Sequence, residues 1–269
     1  MKITIVTGSR ADFGLLEWPI KTMQEDAFFQ GQILKIWGSD FDSAFRACTD
    51  SFTAERPDVV LILGDRYEIL AAATAAHLLR VPLAHIAGGD VTEGSYDDAM
   101  RDAISRFASI HFVTSTSAMA RLSHMGCRNI HLVGNPGIDY IRNAPWKKER
   151  PLAEPYVVVA YYPETIDGTI DLPAVDAAVA GRKAIWIAPN PDRGSEFMPG
   201  TATYPHAEFL NLLAHCEEFI GNSSAMLYEA PELGIKTRMI GKRQRGRTLP
   251  WGDGNASERI ANTLKHIAL

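Results

Sequence analysis

Four apolar runs of strand length recur through the first half of the chain, each ending on glycine or a small polar residue: ITIVTG from Ile3, VVLILG from Val59, PLAHIAG from Pro82 and IHFVTS from Ile110. Strands that are apolar on both faces belong in a parallel sheet covered on both sides, since a sheet with one wet face alternates apolar and polar residues. Between them, Phe13 to Gln24, Tyr67 to Leu79, Asp97 to Phe107 and Ser117 to Met125 carry apolar residues at helical spacing. Parallel strands need crossovers, and these helices supply them, so the first half reads as doubly wound α/β.

From Asn135 to Pro155 the text changes to NPGIDYIRNAPWKKERPLAEP, with four prolines, a charged cluster and no strand-like run. That is where a domain boundary is expected. A second alternating series follows: YVVVAYY from Tyr156, KAIWIAP from Lys183, EEFIGNSS from Glu217 and TRMIG from Thr237, then a helix near Ala256 to Ile267. The expected organisation is one α/β domain over residues 1–140 and a second over 152–269, facing each other across a cleft. The 269 residues, 46% hydrophobic and 22% charged, suit one large or two modest globular domains.

Charge narrows the partners. With 27 Lys+Arg against 32 Asp+Glu the net charge is −5, so no bulk basic field favours nucleic acid or an anionic membrane, although a local basic patch facing a polymer acceptor stays open. Cys48, Cys127 and Cys216 are far apart without C-x-x-C spacing, which suggests reduced thiols, not a disulfide framework or zinc site. No apolar run approaches the roughly 18–20 residues that span a bilayer, and the opening MKITIVTGSR is too short in apolar residues for a signal peptide. A cytoplasmic protein is expected.

In an open parallel sheet, ligands sit beyond the carboxyl ends of the strands. Four such junctions are rich in polar residues: Gly8 to Gly14 (GSRADFG), Gly64 to Glu68 (GDRYE), His85 to Asp98 (HIAGGDVTEGSYDD) and Gly221 to Pro231 (GNSSAMLYEAP). The turn Gly221-Asn222-Ser223-Ser224 suits either a phosphate or simple N-capping. Gly8-Ser9-Arg10 adds a permissive glycine and a guanidinium able to grip phosphate. Neither GxGxxG nor Walker A is present, which disfavours a dinucleotide dehydrogenase and a P-loop ATPase. Asp65, Asp90, Glu93, Asp97 and Asp98 suit either divided acid and base roles, or capping and ion pairs to Arg66 and Arg101. No His/Asp spacing specifies a metal. His85, inside an apolar strand, reads as a hydrogen-bonded core histidine, and Asp192 as the start of a turn. The run from Gly234 to Arg247 holds six Lys/Arg, read either as a solvated face or as an attraction for a nucleotide anion.

Together the segments TGSRADFGLL, PDVVLILGDRYEILAAATAA, PLAHIAGGDVTEGSYDDAMRDAISRFASIHFVTS, VGNPGID and FIGNSSAMLYEAPELGIKTRMIGKRQRGR resemble, in order, the UDP-N-acetylglucosamine 2-epimerases, especially the hydrolysing branch that opens sialic and related nonulosonic acid pathways. The resemblance implies a glycosyltransferase-B type fold of two Rossmann-like doubly wound domains, a UDP-sugar as substrate, no metal or other cofactor, and a homodimer. It implies Asp65, Asp90 and Asp97 as catalytic carboxylates. Arg10, Asn222, Ser223, Ser224, Glu229 and Arg243 are then nucleotide-binding residues, with the serines at the diphosphate and Glu229 accepting from the ribose hydroxyls. The implied chemistry is anti elimination of UDP across C1 and C2, then addition of water to leave the C2-inverted sugar.

Four departures stand out. Only Arg46 to Arg56 lies between LKIWGSDFDSAF and PDVVLILGD, where the family carries a longer segment. Tyr162 stands where it has a histidine before the proline, and Ala87 where the branch commonly has another. Asp90 replaces the usual glutamate, one methylene shorter. A sugar transferase of the same fold, or a non-catalytic nucleotide-sugar binder, is the alternative expectation.

Overall fold

Valine, leucine and isoleucine set the first sheet. In chain order the elements are β1 (Lys2–Thr7), α1 (Arg10–Gln24), β2 (Gln30–Lys35), α2 (Phe41–Ala54), β3 (Val59–Leu63), α3 (Tyr67–Leu78), β4 (Leu83–Ile86), α4 (Asp98–Phe107), β5 (Ile110–Val113), α5 (Thr116–His124), β6 (Ile130–Leu132) and α6 (Pro136–Asn143). The strands form one parallel sheet in the order β2-β1-β3-β4-β5-β6. Every residue of β3, β4 and β5 is buried, whereas β2 at the edge is largely exposed. That contrast is what helices on both faces of a sheet produce. This computed structural model describes residues 1–93, 95–164, 167–189, 197–200 and 202–267. Asp192 lies outside them.

One face of the sheet packs Ile3, Ile5, Leu61, Leu63, Ile86 and Phe112 against Leu16, Ile20 and Met23 of α1. The other packs Val60 and Ile62 against Cys48 and Phe52 of α2 and the alanines of α3. The side chains of α3 are small enough that it is buried almost all round, pressed between the sheet and α2. Neither β2 nor α2 is read from the sequence. QGQILK alternates weakly as an edge strand, and the helix lies in the short stretch that departs from the family.

The second unit carries β7 (Val157–Ala160), α7 (Leu172–Val179), β8 (Ala184–Trp186), α8 (His206–His215), β9 (Glu218–Gly221), α9 (Glu229–Leu233) and β10 (Thr237–Met239). Its sheet is also parallel, ordered β10-β9-β7-β8. Tyr156, Val158, Phe219, Leu212 and Leu213 fill one face; Val157, Val159, Ile220 and Val175 fill the other. Both sheets reverse their strand order once, between β1 and β3 and between β7 and β9, and a reversal opens the crevice where ligands settle.

Chain contacts divide the molecule into Met1–Val91 with Asp97–Arg142 and Pro250–Leu269, and Thr92–Tyr96 with Asn143–Leu249. The last helix, α10 (Ala256–His266), therefore belongs to the first unit, which corrects the expectation that residues to 269 complete the second domain. The reason is local. Ile260 and Leu264 join the apolar face of α1, and Asn255 makes no side-chain cap for α10. Instead the buried carboxylate of Asp139, on α6, accepts from the N–H groups of Ala256 (3.1 Å) and Ser257 (2.6 Å). Asp139→Ala leaves both donors buried without an acceptor and should cost about 2 kcal/mol in urea unfolding; an unchanged midpoint would show that α10 is held by packing alone.

Candidate functional site

In the first unit the crevice between β1 and β3 is lined by the two turns that leave those strands. Ser9 caps α1, its Oγ accepting from the Asp12 N–H at 3.1 Å, and Arg10 opens the helix with an exposed side chain. Gly64, at φ 87°, turns the chain out of β3 in a conformation that favours glycine. Arg66 then pairs with the buried Glu68 at 3.3 Å. The sequence reading missed Asp12. Its Oδ2 is shielded from solvent and accepts no hydrogen bond. Burial pushes its carboxyl up to about 7, with Arg66 and the Ser9 hydroxyl opposing that rise and the charges of Asp65 and Glu68 adding to it. The signal was present: an acid three residues after a serine N-cap is the capping-box pattern.

Asp65 and Asp90 meet at one guanidinium. Arg101 of α4 is buried and ion-pairs with both Asp65 and Asp98, while its Nη1 donates to the Asp90 carbonyl at 2.6 Å. Burial disfavours its charge, but the carboxylates of Asp65, Asp98 and Asp90 outweigh that and raise its pKa further. Asp90 reaches this place because the chain bends sharply after β4. Ala87 and Gly89 have φ 63° and 78°, and a β-carbon at Gly89 would lie 2.6 Å from the Ala118 carbonyl. The Asp90 carboxylate accepts from the Thr114 hydroxyl at 2.9 and 3.1 Å. Asp97 immediately precedes α4, and its main-chain carbonyl accepts from the Arg101 N–H at 2.9 Å, while its side chain makes no cap.

His85 is the core histidine expected. Its Nε2 lies 2.8 Å from the Gly64 carbonyl, which only accepts, so Nε2 carries the proton and Nδ1 accepts from Ser105 Oγ at 3.1 Å. Burial lowers its pKa to about 3, keeping it neutral. It fixes the turn that presents Asp65.

In the second unit, Gly221 has φ 134° and lies so close to the Ala160 carbonyl that no β-carbon fits. Asn222 follows, and its side chain bridges the reversal: Oδ1 accepts from the Tyr162 N–H and Nδ2 donates to the Tyr162 carbonyl, both at 2.8 Å. Asn222 thereby braces the turn that carries the serines. Ser223 caps the short turn Ser224–Met226, accepting from the Ala225 N–H at 3.3 Å. Glu229 is buried at the start of α9 with Oε2 unpartnered. Burial raises its pKa to about 7, with its own backbone N–H and Arg247 opposing that rise.

The basic run divides its cations. Arg243 donates to the Pro163 carbonyl at 2.6 Å and stacks 5.3 Å from the Tyr162 ring. Arg247 stacks on Tyr228 and bonds its hydroxyl; Gln244 donates to the Asn222 carbonyl at 2.8 Å. Arg238 and Lys236 pair instead with the buried Glu218, away from these turns, and Arg245 with Glu93. So only part of the run lies at the strand ends. Among the described residues no group of three or more His, Cys, Asp or Glu could hold a metal ion, and no helix is long and apolar enough to cross a membrane.

The sequence profile of the UDP-N-acetylglucosamine 2-epimerase family matches residues 40–249. The chain is 29% identical to the hydrolysing UDP-N,N'-diacetylbacillosamine 2-epimerase of Legionella pneumophila over 90% of this chain and 81% of the relative. It is 27% identical to polysialic acid biosynthesis protein P7 of Escherichia coli, over 91% and 80%. Its fold resembles that of S. aureus MnaA in complex with UDP, with TM-score 0.79 and 15% identity over 98% of this chain and 96% of that one. The same holds for Methanocaldococcus jannaschii UDP-GlcNAc 2-epimerase in complex with UDP-GlcNAc and UDP, with TM-score 0.79 and 16% identity over 99% and 100%. The glycosyltransferase-B type of fold is thereby established.

The Asp12 geometry has a measurable consequence for stability. A carboxyl whose folded pKa is raised to about 7 destabilises the native state progressively as pH climbs from its unfolded value near 3.8 through 7. Asp12→Asn removes that penalty. In urea unfolding the variant should match the wild type near pH 4 and exceed it by on the order of 4 kcal/mol at pH 8; equal stability at both pH values would mean Asp12 is ionised without cost.

Proposed function

Because this chain belongs to the UDP-N-acetylglucosamine 2-epimerase family, we propose that it is a hydrolysing 2-epimerase, releasing UDP and a C2-inverted N-acetylhexosamine from a UDP-sugar. The observation that carries this reading is the meeting of Asp65 and Asp90 on the buried Arg101, with Asp97 at the head of the same helix. Elimination needs a carboxylate to take the weakly acidic C2 proton. The electron pair of that C–H bond forms the C1–C2 double bond while the C1–O bond breaks towards the diphosphate. Water then adds at C1, and a proton returns to C2 on the opposite face. Asp65 and Asp97 are the proton-transfer candidates, with Asp90 beside them.

UDP is the leaving group, and its charge needs donors. We assign Arg10, Ser223, Ser224 and Arg243 to the diphosphate, and Glu229 to the ribose. A buried carboxylate oxygen without a donor suits a diol, whose hydroxyls satisfy it on binding. Asn222 contributes by holding the turn that carries the serines. Tyr162 brings no imidazole, so the proton transfers fall to carboxylates. The named hydrolysing relatives favour this reading over a sugar transferase. A homodimer and a cytoplasmic location complete it.

Proton NMR with UDP-N-acetylglucosamine in D2O tests the reaction: free UDP and an N-acetylmannosamine carrying deuterium at C2 are expected, and UDP bound tightly without turnover would speak for a transferase or a binder. Asp65→Asn and Asp97→Asn should each lower kcat at least about 100-fold with little change in KM; parallel losses of binding would refute their part in the chemistry. Glu229 gives a pH test. Its carboxyl, near 7 when free, is drawn to the ionised form by ribose donors, so UDP-sugar affinity should rise between pH 6 and 8. The Glu229→Gln variant should bind more weakly with no such rise.

A further inference from the structure

We propose that Glu164 is a positioning residue for Arg243: by accepting from the Lys242 N–H it clasps the loop that follows β10 and sets the guanidinium assigned above to the diphosphate. The inference rests on that assignment of Arg243.

The clasp joins the loops that leave β7 and β10. Glu164 lies just past β7, and its Oε1 accepts from the Lys242 main-chain N–H at 2.7 Å, across 78 positions of sequence. The main chain of Glu164 is itself held, its N–H donating to the Thr169 carbonyl at 3.0 Å and its carbonyl accepting from the Gly168 N–H at 2.9 Å. The side chain therefore reaches out from an anchored backbone. The receiving loop is shaped to admit it. Gly241 has φ 86°, in the left-handed region, and a β-carbon there would have no room beside Glu164 Oε1.

Arg243 is the next residue after the clasped amide. Its Nη1 donates to the Pro163 carbonyl at 2.6 Å and its guanidinium lies 5.3 Å from the Tyr162 ring. Gln244 donates to the Asn222 carbonyl at 2.8 Å, and Asn222 in turn bonds both main-chain groups of Tyr162. Three successive residues, Lys242, Arg243 and Gln244, are thus tied to the strand ends of β7 and β9. The Arg243 contacts orient the tip of a long side chain, whereas the Glu164 contact fixes the main chain from which it springs. A free arginine loses much rotamer freedom when it grips an anion, and one whose base and tip are already placed loses less.

The test compares Glu164→Ala, which removes the acceptor, with Glu164→Gln, which keeps an oxygen at Oε1. Amide hydrogen exchange at Lys242 reads the clasp without ligand: the alanine variant should exchange about tenfold faster and the glutamine variant near the wild-type rate. NMR titrations with UDP and with uridine read its effect on the anion. Glu164→Ala should weaken UDP binding about tenfold and Glu164→Gln should restore it, while the affinity for uridine, which has no phosphate, stays unchanged. A double-mutant cycle shows whether the effect runs through Arg243: adding Glu164→Ala to Arg243→Ala should weaken UDP binding no further, because the residue it positions is gone. UDP affinity unchanged by Glu164→Ala, a loss for uridine as large as that for UDP, or losses that add in the double variant would each overturn the proposal. Absence of UDP binding by the wild type, or UDP binding untouched by Arg243→Ala, removes the assignment of Arg243 and the proposal with it. Failure of the epimerase reading looks different: UDP binds and the clasp behaves as expected, while the wild type releases no UDP from UDP-N-acetylglucosamine.

Discussion

A guanidinium taken out of water has to be met by carboxylates or acceptors, and Arg101 obtains them from three separate pieces of chain. Asp65 comes from the end of β3, the Asp90 carbonyl from the end of β4, and Asp98 from its own helix. Removing any one partner leaves a buried charge short of compensation, which is among the costlier defects a fold can carry. The carboxyl edge of the first sheet is therefore organised by a contact that holds one candidate carboxylate, Asp65, by its side chain and another candidate, Asp90, by its main chain. Stability and site geometry are one constraint here.

Each unit solves its strand reversal with a neutral polar side chain bonded to main chain. His85 holds Gly64 in the first, and Asn222 holds Tyr162 in the second. Neutrality is what allows this. A charged brace would need a counter-ion inside the crevice and would compete for the ligand's own charge. With bracing delegated to His85 and Asn222, Asp12 and Glu229 are each left with one shielded oxygen that accepts no hydrogen bond. Such an oxygen costs stability until a donor reaches it, and the turns that carry both acids lie where a parallel sheet receives ligands.

The sequence revealed the strands that are apolar on both faces, because β1, β3, β4, β5, β7 and β9 depend only on local composition. It hid β2 and β6, edge strands of which the first is polar and the second only three residues long. It also misplaced α10. Nothing local to Ala256–His266 says which sheet it covers, since its cap is Asp139, more than a hundred residues earlier. The same separation explains the site. Asp65, Asp90 and Asp97 were legible as acids at strand ends, but Arg101 as their organiser and Thr114 as a partner depend on pairing across β3, β4 and β5. Asn222 was legible as a polar residue of a strand-end turn, but its bond to Tyr162, 60 positions away, was not.

Burial also moves the neutral-range proton chemistry from one residue class to another. His85 falls to about 3 and His111 to about 4, out of reach of a proton at neutral pH. Tyr162 stands in place of the family histidine and brings no imidazole. The same desolvation that silences the imidazoles lifts Asp12 and Glu229 to about 7, because it penalises whichever form is charged. A chain that has lost histidines from its strand ends thus still has groups titrating near neutrality there, and they are carboxyls. Loss of the imidazoles is for that reason compatible with acid-base work, provided the carboxylates are held in place, and the buried Arg101 does so for Asp65 and the Asp90 main chain.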